Sequence, residues 1–574
     1  MTAATQPNSA HYREWPNAGA FNALGDTRSK IKLEIQGHFP TYAAGALYRT
    51  GPGGYKVPRD DPKDGDFAVQ HWFDGFTTSH RFEMVRSTLE DKKCSEIWYN
   101  SYCQVDEEIE HVRKTGKLDQ ISFGQKRDPC DGLYKKFKAV FEPQATKTPH
   151  SANIGVVVRA ALPCEMPENR QGPKRADSPL GDQQLGDPAP PSVLCLTTDT
   201  SAAKTFDAET LEPLGVTRQT VLHPELKGQL SAAHAARDPQ TGEVFNYNLE
   251  FGPKTTYRVF GANPQTGEVR ILAKIPHTEA KPAYIHSMFC TPNFVILCVW
   301  SAHFKQPYGL NMLWTRNVLD TLDNFDANSQ SAAWLVIDRH HGRGVVKKFT
   351  SPAFFAFHTT NAWEERRAGN SESVDITCEL FEFENKDILD KFYYQNLVSN
   401  EKSTELFNDS REQIKSQLAR YELADIPLNG KAAAKHQVDS AVRILTVPSS
   451  SAGDLQQCNP EYRMKPHRYV WSVLDRGKSS FLDGLCKTDV ETKTALIWEK
   501  PRHTPGEPIF IPAPRALAED EGCVLSVGFD GDSGASYLLC LDAQTMEEVG
   551  RAEVGRPVGF GFHGAHVPAA VGVR

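Results

Sequence analysis

The chain reads as an all-β protein, and within that class as a radial β-propeller. Three observations point there. Short β-type runs such as Asn153–Arg159, Val193–Thr197 and Trp334–Asp338 are bounded by turn residues along most of the length. One turn chemistry recurs, as Asp207-Ala-Glu-Thr210, Asp238-Pro-Gln-Thr241-Gly, Asn263-Pro-Gln-Thr266-Gly, Asp489-Val-Glu-Thr492 and Asp542-Ala-Gln-Thr545, with a looser form at Asp338–Gly342. Four histidines, widely separated in sequence, sit in apolar or small-residue settings: Ser231-Ala-Ala-His234, Tyr284-Ile-His286-Ser287, Phe354-Phe-Ala-Phe-His358-Thr and Gly561-Phe-His563-Gly564. Repeated hairpins of one kind suit radial repetition. A pair of β-sandwiches would also show many hairpins, but only a propeller brings distant strands to a common axis where four histidines can meet.

Composition narrows the function classes. The 574 residues carry a net charge of −8 with acidic and basic residues interspersed, so no basic stripe marks a nucleic-acid surface. Hydrophobic content of 39% with 41 Gly and 37 Pro suits a turn-rich globular protein. The 12 cysteines are scattered without a C-x-x-C pair, as expected of reduced, buried thiols and not of a zinc or disulfide framework. The first ten residues show neither a basic nor an apolar signal region. The longest strongly apolar run, Phe294–Trp300, is far short of the roughly 18 residues needed to span a bilayer. A cytoplasmic protein, at most peripheral to membranes or lipid droplets, is expected, with no obligatory protein partner.

Taken in order, residues 1–30 form a polar lead-in and 31–574 a single propeller domain. Gly45–Gly54 reads as a strand ending in a glycine turn, with no Lys-Ser/Thr to make it a phosphate loop. His71-Trp-Phe-Asp-Gly-Phe76 reads as a strand closed by an Asp-Gly hairpin signal. Residues 166–192, rich in Pro, Gly and charge, form a mobile insertion. Residues 403–423 carry Leu406, Phe407, Ile414 and Leu418 at helical spacing and are expected as a surface helix.

A lone histidine on an apolar strand is usually a hydrogen-bonded core residue; four in such settings suggest a metal centre. Structural zinc is one reading, though such sites are closed by four ligands and are usually Cys-rich. Six-coordinate Fe(II), with positions left open for dioxygen, is the other. Ligand histidines need an acceptor for the second ring nitrogen. Asp199 in Thr197-Thr-Asp-Thr200, Asp454 in Gly453-Asp-Leu-Gln456 and Glu507 in Gly506-Glu-Pro-Ile-Phe510 are candidates, against the plainer reading of each as a surface carboxylate. His566 lies three residues from His563, on the opposite face of an extended chain, and is set aside.

Leu47-Tyr-Arg-Thr-Gly-Pro-Gly53, His71-Trp-Phe-Asp-Gly75, Phe357-His358 with Asn361-Ala-Trp-Glu-Glu365, Glu507-Pro-Ile-Phe510 and Phe562-His563-Gly564 together resemble the carotenoid cleavage oxygenases. The likeness runs from Leu33 to Pro568. It implies a seven-bladed propeller, capped by loops and short helices, with one Fe(II) on the axis held by His234, His286, His358 and His563 and with O2 as co-substrate. It further implies three supporting carboxylates. Glu507 matches the family's glutamate, whereas Asp199 and Asp454 stand where the family has Glu, one methylene longer. A closer strand or a bridging water would make up the difference.

Stilbene-cleaving members carry a Lys immediately before the first supporting carboxylate; Thr198 stands there instead. The stretch His71–Met84 is most similar to fungal torulene-cleaving dioxygenases, implying a lipophilic polyene substrate cut at one double bond into aldehydes. A stilbene-cleaving enzyme, a non-oxidative retinoid isomerase and a non-catalytic polyene-binding propeller are the alternatives. A substrate held in lipid implies an apolar patch touching a membrane surface. Tyr308–Trp314 is the candidate segment, with a buried loop as the equal alternative.

Overall fold

The architecture was analysed in a computed structural model, which describes residues 15–87, 93–118, 121–126, 148–166, 190–400, 403, 414–429 and 438–569. Recurrent turns make its strands. In the turns opened by Asp207, Asp238, Asn263, Asp489 and Asp542, side-chain Oδ1 accepts the backbone N–H groups two and three residues on. The fifth residue of each, Leu211, Gly242, Gly267, Lys493 and Met546, takes a positive φ that reverses the chain. Each turn therefore ends one strand and starts its antiparallel neighbour. At Asp338, Oδ2 performs the same task for the N–H groups of His341 and Arg343.

Seven sheets of four to six strands form the blades among the described residues, beside one two-stranded hairpin. The innermost strands are Val157–Ala160, Ala236–Arg237, Phe289–Cys290, Phe355–Arg366, Asp454–Cys458, Ile509–Pro512 and His563–Pro568. Side-by-side packing of these strands lines the axis, and the last of them meets the first. Ring closure uses both ends of the chain. His563–Pro568 pairs with Gly45–Gly54, and Glu34–Gly37 pairs with Glu548–Glu553. Such closure ties the first and last blades together and covers edges that would otherwise be open. Buried Val, Ile, Leu and aromatic side chains fill the spaces between blades, and the described cysteines are free thiols, buried except for Cys164.

Two local expectations are corrected. Of the surface helix expected over 403–423, residues 416–423 are strand, since Ser416–Pro427 pairs with Ser373–Phe383 on one side and Val442–Val447 on the other, while Ser403 is helical. Only Leu418 of the four apolar residues lies in the strand; Ile414 sits in a 3₁₀ turn just before it. Residues 404–413 lie outside the described set. Trp72–Asp74 forms a 3₁₀ turn ahead of the strand Phe76–Arg86, not the end of a hairpin. Asp74 is occupied elsewhere, accepting the N–H groups of Phe123, Gly124 and Gln125.

Of the lead-in, residues 1–14 lie outside the described set, while Trp15, Ala20 and Phe21 are buried and Thr27–Lys32 already pairs in the first sheet. The insertion is likewise outside it over 167–189. In Tyr308–Trp314, Tyr308 and Met312 pack on the main core. No helix among the described residues is long and apolar enough to cross a membrane.

Over one end of the axis sits a cap of irregular chain and the short helices Ile388–Lys391 and Tyr394–Leu397. Phe73 in this cap packs edge-on against Phe123, Phe357 and Phe562 and tilts against Phe392. Phe357 in turn contacts the ring of His286, so the aromatic cap reaches the histidines.

Two stability predictions follow from these contacts. Asp542→Ala removes the acceptor for two N–H groups and the Thr545 hydroxyl, and should cost about 1 kcal/mol in denaturant unfolding. Glu379 is wholly buried; burial pushes its carboxyl up, but His467 and Arg420 outweigh that and hold it at about 2, against an ordinary 4.5. A depressed folded-state pKa contributes stability above pH 4.5 that is lost as pH falls toward 2. The stability gap between the parent protein and Glu379→Gln should therefore narrow over that window in acid-unfolding curves.

Candidate metal centre

Each of the four histidines stands at or just before an innermost strand. His234 and His286 immediately precede Ala236–Arg237 and Phe289–Cys290, His358 lies within Phe355–Arg366, and His563 begins the final strand. Small residues before His234 let the chain pass close to its neighbours: Asn246 clamps both backbone groups of Ala232, and the His234 N–H donates to the His286 carbonyl at 3.0 Å. Register breaks on either side of Thr359 kink the strand at His358, and a bulge of this kind re-aims a side chain. Ser287 locks the kink, donating to the Phe357 carbonyl and accepting the Thr359 N–H. Gly564 leaves room at His563, since a Cβ there would lie 2.6 Å from the Tyr48 carbonyl oxygen.

The four rings converge. One nitrogen from each lies within 4.8 Å of the others. His563 Nε2 is 2.9 Å from His234 Nε2 and 3.1 Å from His358 Nε2. Nitrogens bound at about 2.1 Å and at right angles on one ion stand about 3.0 Å apart, so these spacings fit adjacent donors to a single metal. Burial and the neighbouring rings hold His234 and His563 well below the usual imidazole range, which keeps them neutral with lone pairs free.

Three of the rings are oriented from behind. His286 Nδ1 meets Asp199 Oδ1 at 2.7 Å, His358 Nδ1 meets Asp454 Oδ1 at 2.8 Å, and His563 Nδ1 meets Glu507 Oε1 at 2.8 Å. Both aspartates thus touch their histidines directly. In each pair the carboxylate comes from a different sheet than the ring. Gly453 makes this reach available to Asp454, because a Cβ there would lie 1.6 Å from the Val473 carbonyl oxygen. An Nδ1–H donated to a carboxylate leaves Nε2 as the lone-pair nitrogen, and these are the nitrogens that face one another.

Two supporting residues were not singled out from the sequence. Tyr284 donates its hydroxyl to Asp199 Oδ2 at 2.9 Å, fixing the carboxylate that serves His286. Arg49 donates Nη1 to Glu507 Oε2 at 2.6 Å with both side chains buried. The signals were present: a tyrosine two residues before a ligand-type histidine shares its strand face, and Arg49 is the one charged residue in the run Gly45–Gly54. Thr198 is half-buried beside Asp199 and borders a cavity of about 40 Å³ shared with Arg159, Glu165 and Asn246. His566 turns away from the cluster, its Nε2 lying 3.0 Å from the Ala43 carbonyl.

Comparison with known proteins agrees with this geometry. The family model described as RPE65, retinal pigment epithelial membrane protein, matches residues 21–568. A carotenoid dioxygenase of Neurospora crassa is 40% identical over 97% of this chain and 92% of its own length. A torulene dioxygenase of Gibberella fujikuroi is 39% identical over 97% of this chain and 95% of its own. Among solved structures, a single-residue variant of the Synechocystis apocarotenoid oxygenase superposes with a TM-score of 0.68 at 19% identity, covering 98% of this chain and 99% of that one; this likeness speaks to the fold.

Proposed function

Because the chain belongs to the RPE65 family of carotenoid oxygenases, we propose that it is an Fe(II)-dependent dioxygenase that cleaves one carbon–carbon double bond of a torulene- or β-carotene-like polyene into two aldehydes. The observation that carries this reading is the convergence of four imidazoles, three of them backed by carboxylates from other blades. His234, His286, His358 and His563 would hold the iron. The set of four neutral nitrogen donors suits iron, and such a site would leave room for small molecules at the metal. Bound ferrous iron supplies the electrons that activate dioxygen. In the overall balance the double bond breaks and each of its carbons receives one oxygen atom of O2.

The protein's own part is orientation and exclusion. Asp199, Asp454 and Glu507 keep the Nδ1 protons of their histidines directed outward and the Nε2 lone pairs directed inward. Phe73, Phe123, Phe357 and Phe562 form an apolar wall next to the centre. Such a wall holds a polyene by its faces and keeps water from the reacting bond. No general acid or base is needed. Thr198 offers no cation to a phenolate, which favours a polyene over a stilbene. The reading carries with it a lipophilic substrate drawn from a membrane or lipid-droplet surface by a protein working in the cytoplasm.

His358→Ala removes one donor and leaves Asp454 without its ring. Metal analysis after purification from iron-replete cells should show about one iron in the parent protein and loss of iron and turnover together in the variant. Full iron occupancy in His358→Ala would overturn the ligand assignment. Aerobic incubation of the ferrous protein with torulene, β-carotene and resveratrol in parallel is expected to yield aldehydes from a polyene, with label from ¹⁸O2 in both products. Hydroxybenzaldehydes from resveratrol alone would place the enzyme in the stilbene branch, and unlabelled products would point to an isomerase.

A further inference from the structure

The three carboxylates behind the histidines are not held alike. Asp199 has the Tyr284 hydroxyl, a neutral donor, as its second partner. Asp454 lies 19% exposed, and its Oδ1 serves His358. Glu507 is 2% exposed and faces a full positive charge, the guanidinium of Arg49, itself 4% exposed. Burial pushes the Glu507 carboxyl up to about 7. Yet each of its lone-pair directions meets a donor: Oε1 accepts from His563 Nδ1 and Gln457 Nε2, and Oε2 from Arg49 Nη1 and the Gly564 N–H. A carboxylate with four donors and no acceptor opposite it has no place for a proton, so this group is an anion as built.

We propose that Arg49 is a charge-setting positioning residue for the metal centre: it fixes Glu507 against His563 and brings the buried core to neutrality with a divalent, and not a trivalent, ion. The inference rests on the four-histidine iron reading above. Three carboxylates against one guanidinium leave two negative charges beside neutral imidazoles, and a divalent cation cancels them. A trivalent cation leaves one uncompensated positive charge in a poorly solvated site, where such a charge is costly. Among the described residues, Arg463 also acts on His234, but it is solvent-exposed and screened. Arg49 thereby favours the ferrous state that dioxygen chemistry requires. Its guanidinium pairs with Glu507 and not with a histidine nitrogen, so it acts through Glu507.

The test is a mediated redox titration of the full-length protein loaded anaerobically with ferrous ion, with iron content measured on the same samples. Arg49→Met frees one Glu507 lone pair, so the titration is run from pH 7 to pH 9; at the upper end, with Glu507 ionised, the core is one charge more negative. At a fixed potential its ferric-to-ferrous ratio should rise at least tenfold, a downward shift of about 59 mV for a one-electron couple. Arg49→Lys keeps the charge and should stay near the parent. Asp454→Asn removes a negative charge and should shift at least tenfold the other way. If Arg49→Met does not fold, Arg49→Gln is judged by the same criterion. An iron-bound neutral variant at the parent potential would overturn the proposal, as would Arg49→Met and Asp454→Asn moving in the same direction. Failure of the parent protein to bind iron would instead defeat the ligand assignment.

Discussion

Convergence of four imidazole nitrogens on one point of the axis is the constraint that the rest of the structure serves. No two of these histidines are close in sequence, so each must be delivered by its own blade. A ring of this kind works only if it is closed, and the chain closes it twice, through His563–Pro568 in the first blade and Glu34–Gly37 in the last. His563 is itself the first residue of the closing strand, so ring closure and completion of the cluster are one event.

Orientation of the rings depends on contacts between blades. Asp454 and Glu507 come from the blade next to that of their histidines, and Asp199 from two blades away, so the cluster is organised only when several blades are seated. The short side chains of Asp199 and Asp454 fit the same logic. Asp454 follows a glycine whose missing Cβ allows the backbone to approach the next strand, and Asp199 is steadied by Tyr284 from the same segment as His286. Glu507, the longer side chain, spans from Arg49 to His563 and carries four hydrogen bonds. Geometry and charge are thus set by the same few atoms.

The aromatic cap adds the apolar half of the site. Asp74 binds three consecutive N–H groups of the Phe123–Gln125 turn, and Phe123 packs on both Phe73 and Tyr284. The wall that would face a polyene is therefore tied to the same tyrosine that steadies Asp199. Packing of this density transmits displacement, so cap and histidine cluster are mechanically linked.

Much of this was legible in the chain itself. The Asp/Asn-opened turns are local chemistry, two or three residues from side chain to amide, and they predicted hairpins that the structure contains. Four histidines in apolar settings stood out because neutral imidazole there needs a reason. Other features were not legible. Leu418 fits helix and strand equally, and only pairing with Ser373–Phe383 and Val442–Val447 decided for the strand. Asp74 read as a turn former because its three amide partners lie about fifty residues away in sequence. The roles of Arg49 and Tyr284 depend on which buried carboxylate each faces, a fact of distance through space that sequence spacing does not encode. The sequence by itself determined the strand-forming turns and the residue types able to bind a metal. Tertiary structure alone decided which carboxylate backs which ring, because those partners meet only across the seams between blades.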